Sequence, residues 1–145
     1  MTRIGFMSDL HLDSNQFGHF ELETLKEVLK KERIDHLHIA GDLSNDLAHI
    51  SLPFIEDLTQ ELPTSFNLGN HDMLGLSEQE ISNYDFQVQQ FGQTKLVSFS
   101  GWYDYSFVPE KSKEEHLRTK NNFWFDRRLD RKLDDPSITA HSLLQ

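Results

Sequence analysis

Ile4-Gly5-Phe6-Met7-Ser8-Asp9-Leu10-His11-Leu12-Asp13 is a short apolar run that passes into alternating polar and apolar residues. The run reads as a first β-strand. In an extended segment residues two apart share a face, so Asp9 and His11 point together while Leu10 and Leu12 turn back toward a core. A carboxylate and an imidazole on one face suit a borderline divalent ion such as Zn, Mn or Fe. Asp13 shares that face, where capping or orienting a ligand suits it better than direct ligation. By itself the segment also reads as a solvated strand end with a capping Asp.

Outward from this stretch, short apolar runs alternate with helical periodicity, the pattern of an α/β fold. Phe20, Leu22, Leu25, Val28 and Leu29 fall on one helix face that fades into Lys30-Lys31-Glu32-Arg33. His36 to Ala40 reads as a second strand. Leu47, Ile50, Phe54, Leu58 and Leu62 mark a second helix, which Pro53 should kink or split. Thr64 to Leu68 is a third strand. Ser77 and Glu80 form a capping box ahead of Ile81, Tyr84, Val88 and Phe91, a third helix. Lys95 to Ser100 is a fourth strand, and Trp102 to Phe125 is aromatic and irregular. A charged helix around Leu129 and Leu133 and a last strand, Ser137 to Ala140, complete the reading, with residues 1–145 as one domain.

Two more polar blocks stand just past strand ends, where ligands bind in open α/β sheets. In Gly41-Asp42-Leu43-Ser44-Asn45-Asp46, glycine permits a tight exit and leaves Asp42 at the mouth of the strand. Each oxygen of that carboxylate could take one of two metal ions. One of Ser44, Asn45 and Asp46 is expected to cap the following helix. In Leu68-Gly69-Asn70-His71-Asp72, the Asn70 carbonyl is a neutral ligand, and His71 can donate a proton or hydrogen bond to a leaving oxygen. Alone, Gly-Asn is an ordinary turn. Together the blocks run in order, with 31 residues from 11 to 42 and 28 from 42 to 70.

Composition narrows the classes. Lys+Arg 14 against Asp+Glu 24 gives −10, the wrong sign for a surface driven by nucleic-acid phosphate. No cysteine is present, which excludes thiolate metal sites and disulfides. The absence of a long apolar run argues against a signal peptide or membrane span, and a cytoplasmic location is expected.

SDLHLD, GDLSND and LGNHD resemble the first three signature blocks of the calcineurin-like metallophosphoesterase superfamily: Asp-x-His, Gly-Asp-x-x-(Asp/Asn) and Gly-Asn-His-(Asp/Glu). The resemblance is tight over residues 2 to 75 and looser from Gly101. It implies a two-sheet sandwich flanked by helices and two divalent ions, Mn, Fe or Zn, that act on a phosphoester substrate. Carried over, Asp9 and His11 hold one ion, Asp42 bridges both, Asn70 binds the second, and His71 acts on the phosphate. Ile138-Thr139-Ala140-His141 has the form of the family's later isolated His, which makes His141 a further ligand of the second ion. No Gly-His-x-His pair occurs in the sequence, so the expectation is an incomplete sandwich, an exposed apolar face and impaired metal binding.

The remaining histidines have plainer readings. His36 and His38 are expected as half-buried packing residues, and His19, His49 and His116 as surface. Arg127, Arg128, Arg131 and Lys132 alternate with aspartates, which suggests a solvated, salt-bridged helix rather than a phosphate site. Trp102, Tyr103 and Tyr105 suit a core beneath a loop better than a substrate pocket.

Overall fold

The computed structural model describes residues 2–131 and 134–144; the side chains of residues 141–143 fall outside that description. Strands β1 (Ile4–Met7), β2 (His36–Ala40) and β3 (Thr64–Asn67) form a parallel sheet in the order β1-β2-β3. Met7 pairs with Ile39 and Ile39 with Phe66, so the three strand ends lie side by side. Helices α1 (His19–Lys31) and α2 (Leu52–Glu61) cover one face. Leu22, Leu37, Ile39, Leu43, Phe54, Ile55 and Leu58 make the main core there, the expected return for apolar runs at strand and helix spacing.

The other face of β2 is polar and still buried: His36 and His38, expected half-buried, are both buried. His38 Nε2 meets Asn67 Oδ1 at 3.1 Å while the Asn67 amide donates to the Leu68 carbonyl, so Nε2 carries the proton. Ser65 Oγ–H then donates to His38 Nδ1 and accepts from His36 Nε2–H, at 2.9 and 2.8 Å. Two neutral histidines thus satisfy one hydroxyl in a fixed direction. Pro53 splits the second helix as predicted: a π-helical turn, Leu47–Ser51, precedes α2 with the proline in its first turn. Asp46 supplies the cap, its Oδ1 accepting from His49 N–H at 3.0 Å.

Helix α3 (Glu78–Tyr84) starts on the Ser77–Glu80 capping box but stops before Val88 and Phe91. Those two residues lie in β4 (Gln87–Phe91), which pairs antiparallel with β5 (Thr94–Ser98) across Gly92 and Gln93. The two-residue turn, with Gly92 at φ +59°, overrides a helical spacing that Val88 and Phe91 happen to satisfy. Phe91 packs its ring against His36 at 4.8 Å and ties this second sheet to the first. Helix α4 (Lys113–Phe123) leads to a 3-10 turn, Phe125–Arg128. Of the charged helix expected around Leu129 and Leu133, residues 129–131 are not helical, and Lys132 and Leu133 lie outside the described residues.

The predicted last strand is instead helix α5 (Asp135–Leu143). Asp134 accepts from Ser137 N–H at 3.0 Å, and Pro136 sits in the first turn, a helix start that outweighs a brief apolar run. His116 is also corrected: it is buried, stacked on Tyr105 and bonded to the Val108 carbonyl. Phe6 on the edge strand β1, with Phe20 and Val28 on α1, leaves apolar surface exposed. Among the described residues no helix is long and apolar enough to cross a membrane.

Candidate metal centre

Strand pairing does not stop where the strands do. Asp9 N–H donates to the Gly41 carbonyl, His11 N–H to that of Asp42 and Leu12 N–H to that of Leu43, at 3.1, 3.0 and 2.7 Å. The first two polar loops therefore run side by side. They are not extended, however. Asp9, His11 and Asp42 hold left-handed backbone, with φ of 58°, 42° and 56°. Non-glycine residues adopt that region at a cost and only where their surroundings enforce it. The face-sharing argument for Asp9 and His11 is thus corrected: tight loops, not strand alternation, set their directions.

Glycine makes the second and third loops touch. Gly41 turns at φ +80°, and a Cβ there would lie 2.5 Å from Gly69 N. A Cβ on Gly69 would lie 2.2 Å from Asp42 Oδ1. Only glycine admits that approach. Asp72 then staples the loops: Oδ2 accepts from Asp42 N–H and Gly69 N–H, and Oδ1 from Leu43 N–H and Ser44 N–H, all at 2.6 to 3.1 Å. The carboxylate is fully buried. Burial pushes its pKa up, opposed by those N–H donors.

Within this frame His11, Asp42 and His71 each offer one ligand atom, all within 4.8 Å of one another. His71 N–H also donates to Asp42 Oδ1 at 3.0 Å, and the two imidazoles meet edge to face at 4.6 Å. Asp9 is outside this group, and its carboxylate accepts from Ser8 Oγ–H. Asn70 donates its amide to Asp126 Oδ1 at 2.7 Å. His141 lies on α5, but its side chain is outside the described residues.

A relay behind His71 fixes its protonation. Asn45 donates Nδ2–H to Asp13 Oδ2 at 2.7 Å, so Asn45 Oδ1 faces His71 Nδ1 at 2.9 Å and must accept from it. Nδ1 carries the proton and Nε2 is left for other work. Burial opposes the charge on Asp13, but the Asn45 side-chain and backbone donors, with Ser14 N–H, hold its pKa below the usual carboxylate value. The expected orienting role of Asp13 is thus carried by Asn45. Phe125 closes the other side of His71, stacked at 3.7 Å and 20°.

Two imidazoles and one carboxylate are a donor set for a borderline divalent cation, and their spacing fits one. The sequence places His11 and Asp42 as ligands and His71 as a group acting on the phosphate; Asp9 and Asn70, expected as ligands, are not in the three-residue group. Sequence reasoning missed Phe125 and Asp126, which sit in the part of the chain without a ligand motif.

The model of the calcineurin-like phosphoesterase family matches residues 2–142. A search of the curated proteins found no match.

Proposed function

The chain belongs to the calcineurin-like phosphoesterase family, and from that premise we propose that it is a metal-dependent hydrolase of phosphomono- or diesters. The observation that carries this reading is the convergence of His11, Asp42 and His71 from three separate loops. In the proposal Asp9, His11 and Asp42 hold one divalent ion, and Asp42 with Asn70, joined by His141, holds a second. Manganese is the metal we favour, and the cytoplasm the location. Bound there, divalent ions supply positive charge to the phosphoryl oxygens and lower the pKa of water. That local charge also offsets the protein's net −10 toward an anionic ester.

The chain's own residues do the rest. Asp42 neutralises charge between the ligand loops. His71 is the member of the convergent group that the proposal keeps off the metal, and Asp9 takes the remaining ligand place. His71 instead holds a proton at Nε2 for the leaving oxygen, while Nδ1–H stays on Asn45. The Asp13 carboxylate at the end of that relay fixes the Asn45 amide and, through it, the direction of the ring. A metal-binding chain without turnover is the second reading, favoured by the fact that three residues form the cluster among the described residues.

The test is hydrolysis of p-nitrophenyl phosphate and bis(p-nitrophenyl) phosphate by the whole chain with Mn²⁺, Fe²⁺ or Zn²⁺, alongside metal analysis. Metal-dependent turnover that His71→Ala loses while still binding metal is the expected result. Metal uptake with neither ester cleaved leaves the second reading standing, and no uptake removes both.

A further inference from the structure

Phe125 and Asp126 meet His71 and Asn70 residue for residue. The turn Phe125–Arg128 lays one ring on His71 and, across 56 residues of sequence, one carboxylate on the Asn70 amide. The Asp126 side chain does not serve its own turn: among the described residues its two carboxylate oxygens accept from Asn70 Nδ2–H at 2.7 Å and from Tyr103 O–H at 3.0 Å. Asn70 Oδ1 has no donor among the described residues. An Asn with its nitrogen fixed on an anion presents its oxygen in one direction. The anion also polarises the amide, which raises the negative charge on Oδ1 and its strength as a ligand.

We propose that Asp126 is a positioning residue of this site, which orients and polarises the Asn70 amide so that Oδ1 serves as a metal ligand, with Tyr103 holding Asp126 in place. The inference rests on the proposed function, which assigns Asn70 to the metal. Two further observations support it. Tyr103 stays protonated and able to donate, because burial foremost, and then the nearby Asp126 charge, push its pKa up. Asn70, Tyr103 and Asp126 also line one cavity of about 380 Å³ with Gly69 and Trp102, so the pair faces an open space a ligand can enter. Carboxylates in this position behind a ligand are worth roughly 10–100-fold in metal affinity.

The experiment is calorimetric titration of Mn²⁺ into the whole chain, with thermal melting of each variant. Asp126→Ala should weaken Mn²⁺ binding by roughly 10–100-fold with little change in Tm. Asp126→Asn can still accept from Asn70 but lacks the charge, so it should fall between wild type and Asp126→Ala. It also carries the comparison if the alanine variant melts without cooperativity. In an Asn70→Ala background, Asp126→Ala should cost nothing more. Wild-type affinity in Asp126→Ala, or a loss that adds in full to that of Asn70→Ala, overturns the assignment while leaving the proposed function intact. A wild-type chain that takes up no divalent ion overturns both, and its baseline titration shows it directly.

Discussion

Two carboxylates brace the loop that carries Asn70 and His71, and they work by opposite means. Asp72 is fully buried and spends both oxygens on backbone N–H groups of two loops. Asp126 is half-buried and spends both on side chains. The first belongs to the parallel-sheet half of the molecule, where left-handed turns and touching glycines leave the backbone a single path. The second belongs to the aromatic half, where Trp102, Tyr103, Trp124 and Lys120 pack around one another. The difference separates two tasks: Asp72 builds the site, and Asp126 adjusts it.

That contrast is broken most easily at Asp72. Removing its carboxylate leaves buried backbone donors unpaired, at about 1–3 kcal/mol each. Asp72→Ala should therefore lose more than about 4 kcal/mol of stability, a large share of the roughly 5–15 kcal/mol of a small domain. Asp126→Ala exposes its partners to water and should lose less than about 1 kcal/mol. Urea denaturation of both variants is the check. Equal losses would mean that the two carboxylates share one task.

How much of this was legible in the sequence follows the same division. Strands β1 to β3 and helices α1 and α2 could be read because Leu37, Ile39, Phe54 and Leu58 repeat at the spacing that burial demands. His11, Asp42 and Asn70 could be placed because each follows a strand by one or a few residues. The left-handed backbone of Asp9, His11 and Asp42 could not, since nothing in Asp-Leu-His distinguishes a tight loop from an extended end. The hairpin β4–β5 was hidden by Val88 and Phe91, whose spacing of three fits one helix face but puts them on opposite faces of the strand. The Gly92-Gln93 turn was the signal that decided it. Asp126 had no local signal at all, because its meaning comes from a partner 56 residues away.

A smaller effect sharpens the comparison through pH. Burial lowers the pKa of both His36 and His38, the latter against a raising contribution from Asn67. In the window below the ordinary value of 6.5, the unfolded chain binds protons that the folded chain refuses. Stability is thus fully present above about pH 6.5 and falls as pH drops toward the depressed folded values. Tm should be lower at about pH 5.5 than at about 7.5, and the double variant His36→Gln and His38→Gln should flatten the slope. Asp13 titrates far below this window and cannot imitate it. A slope that the double variant leaves unchanged would show that the polar interior of the sheet is open to protons, and with it the distinction from the wetter Asp126 region would fail.

The smallest expected effect lies at Tyr103. Tyr103→Phe keeps the ring stacked on Trp102 at 5.2 Å and edge-on to Trp124 at 5.0 Å, so packing should survive. What goes is one O–H donor to Asp126 Oδ2. That oxygen is within reach of water in the adjoining cavity, and water replaces most of what the hydroxyl supplied. The stability loss should be about 1 kcal/mol or less. Mn²⁺ affinity should fall about two- to five-fold, less than for Asp126→Ala, because the hydroxyl acts on the metal ligand through two successive hydrogen bonds. The two titrations decide the order of the chain. If Tyr103→Phe weakened Mn²⁺ as much as Asp126→Ala, the hydroxyl would be acting on the site directly across the shared cavity, and Asp126 would not stand between them.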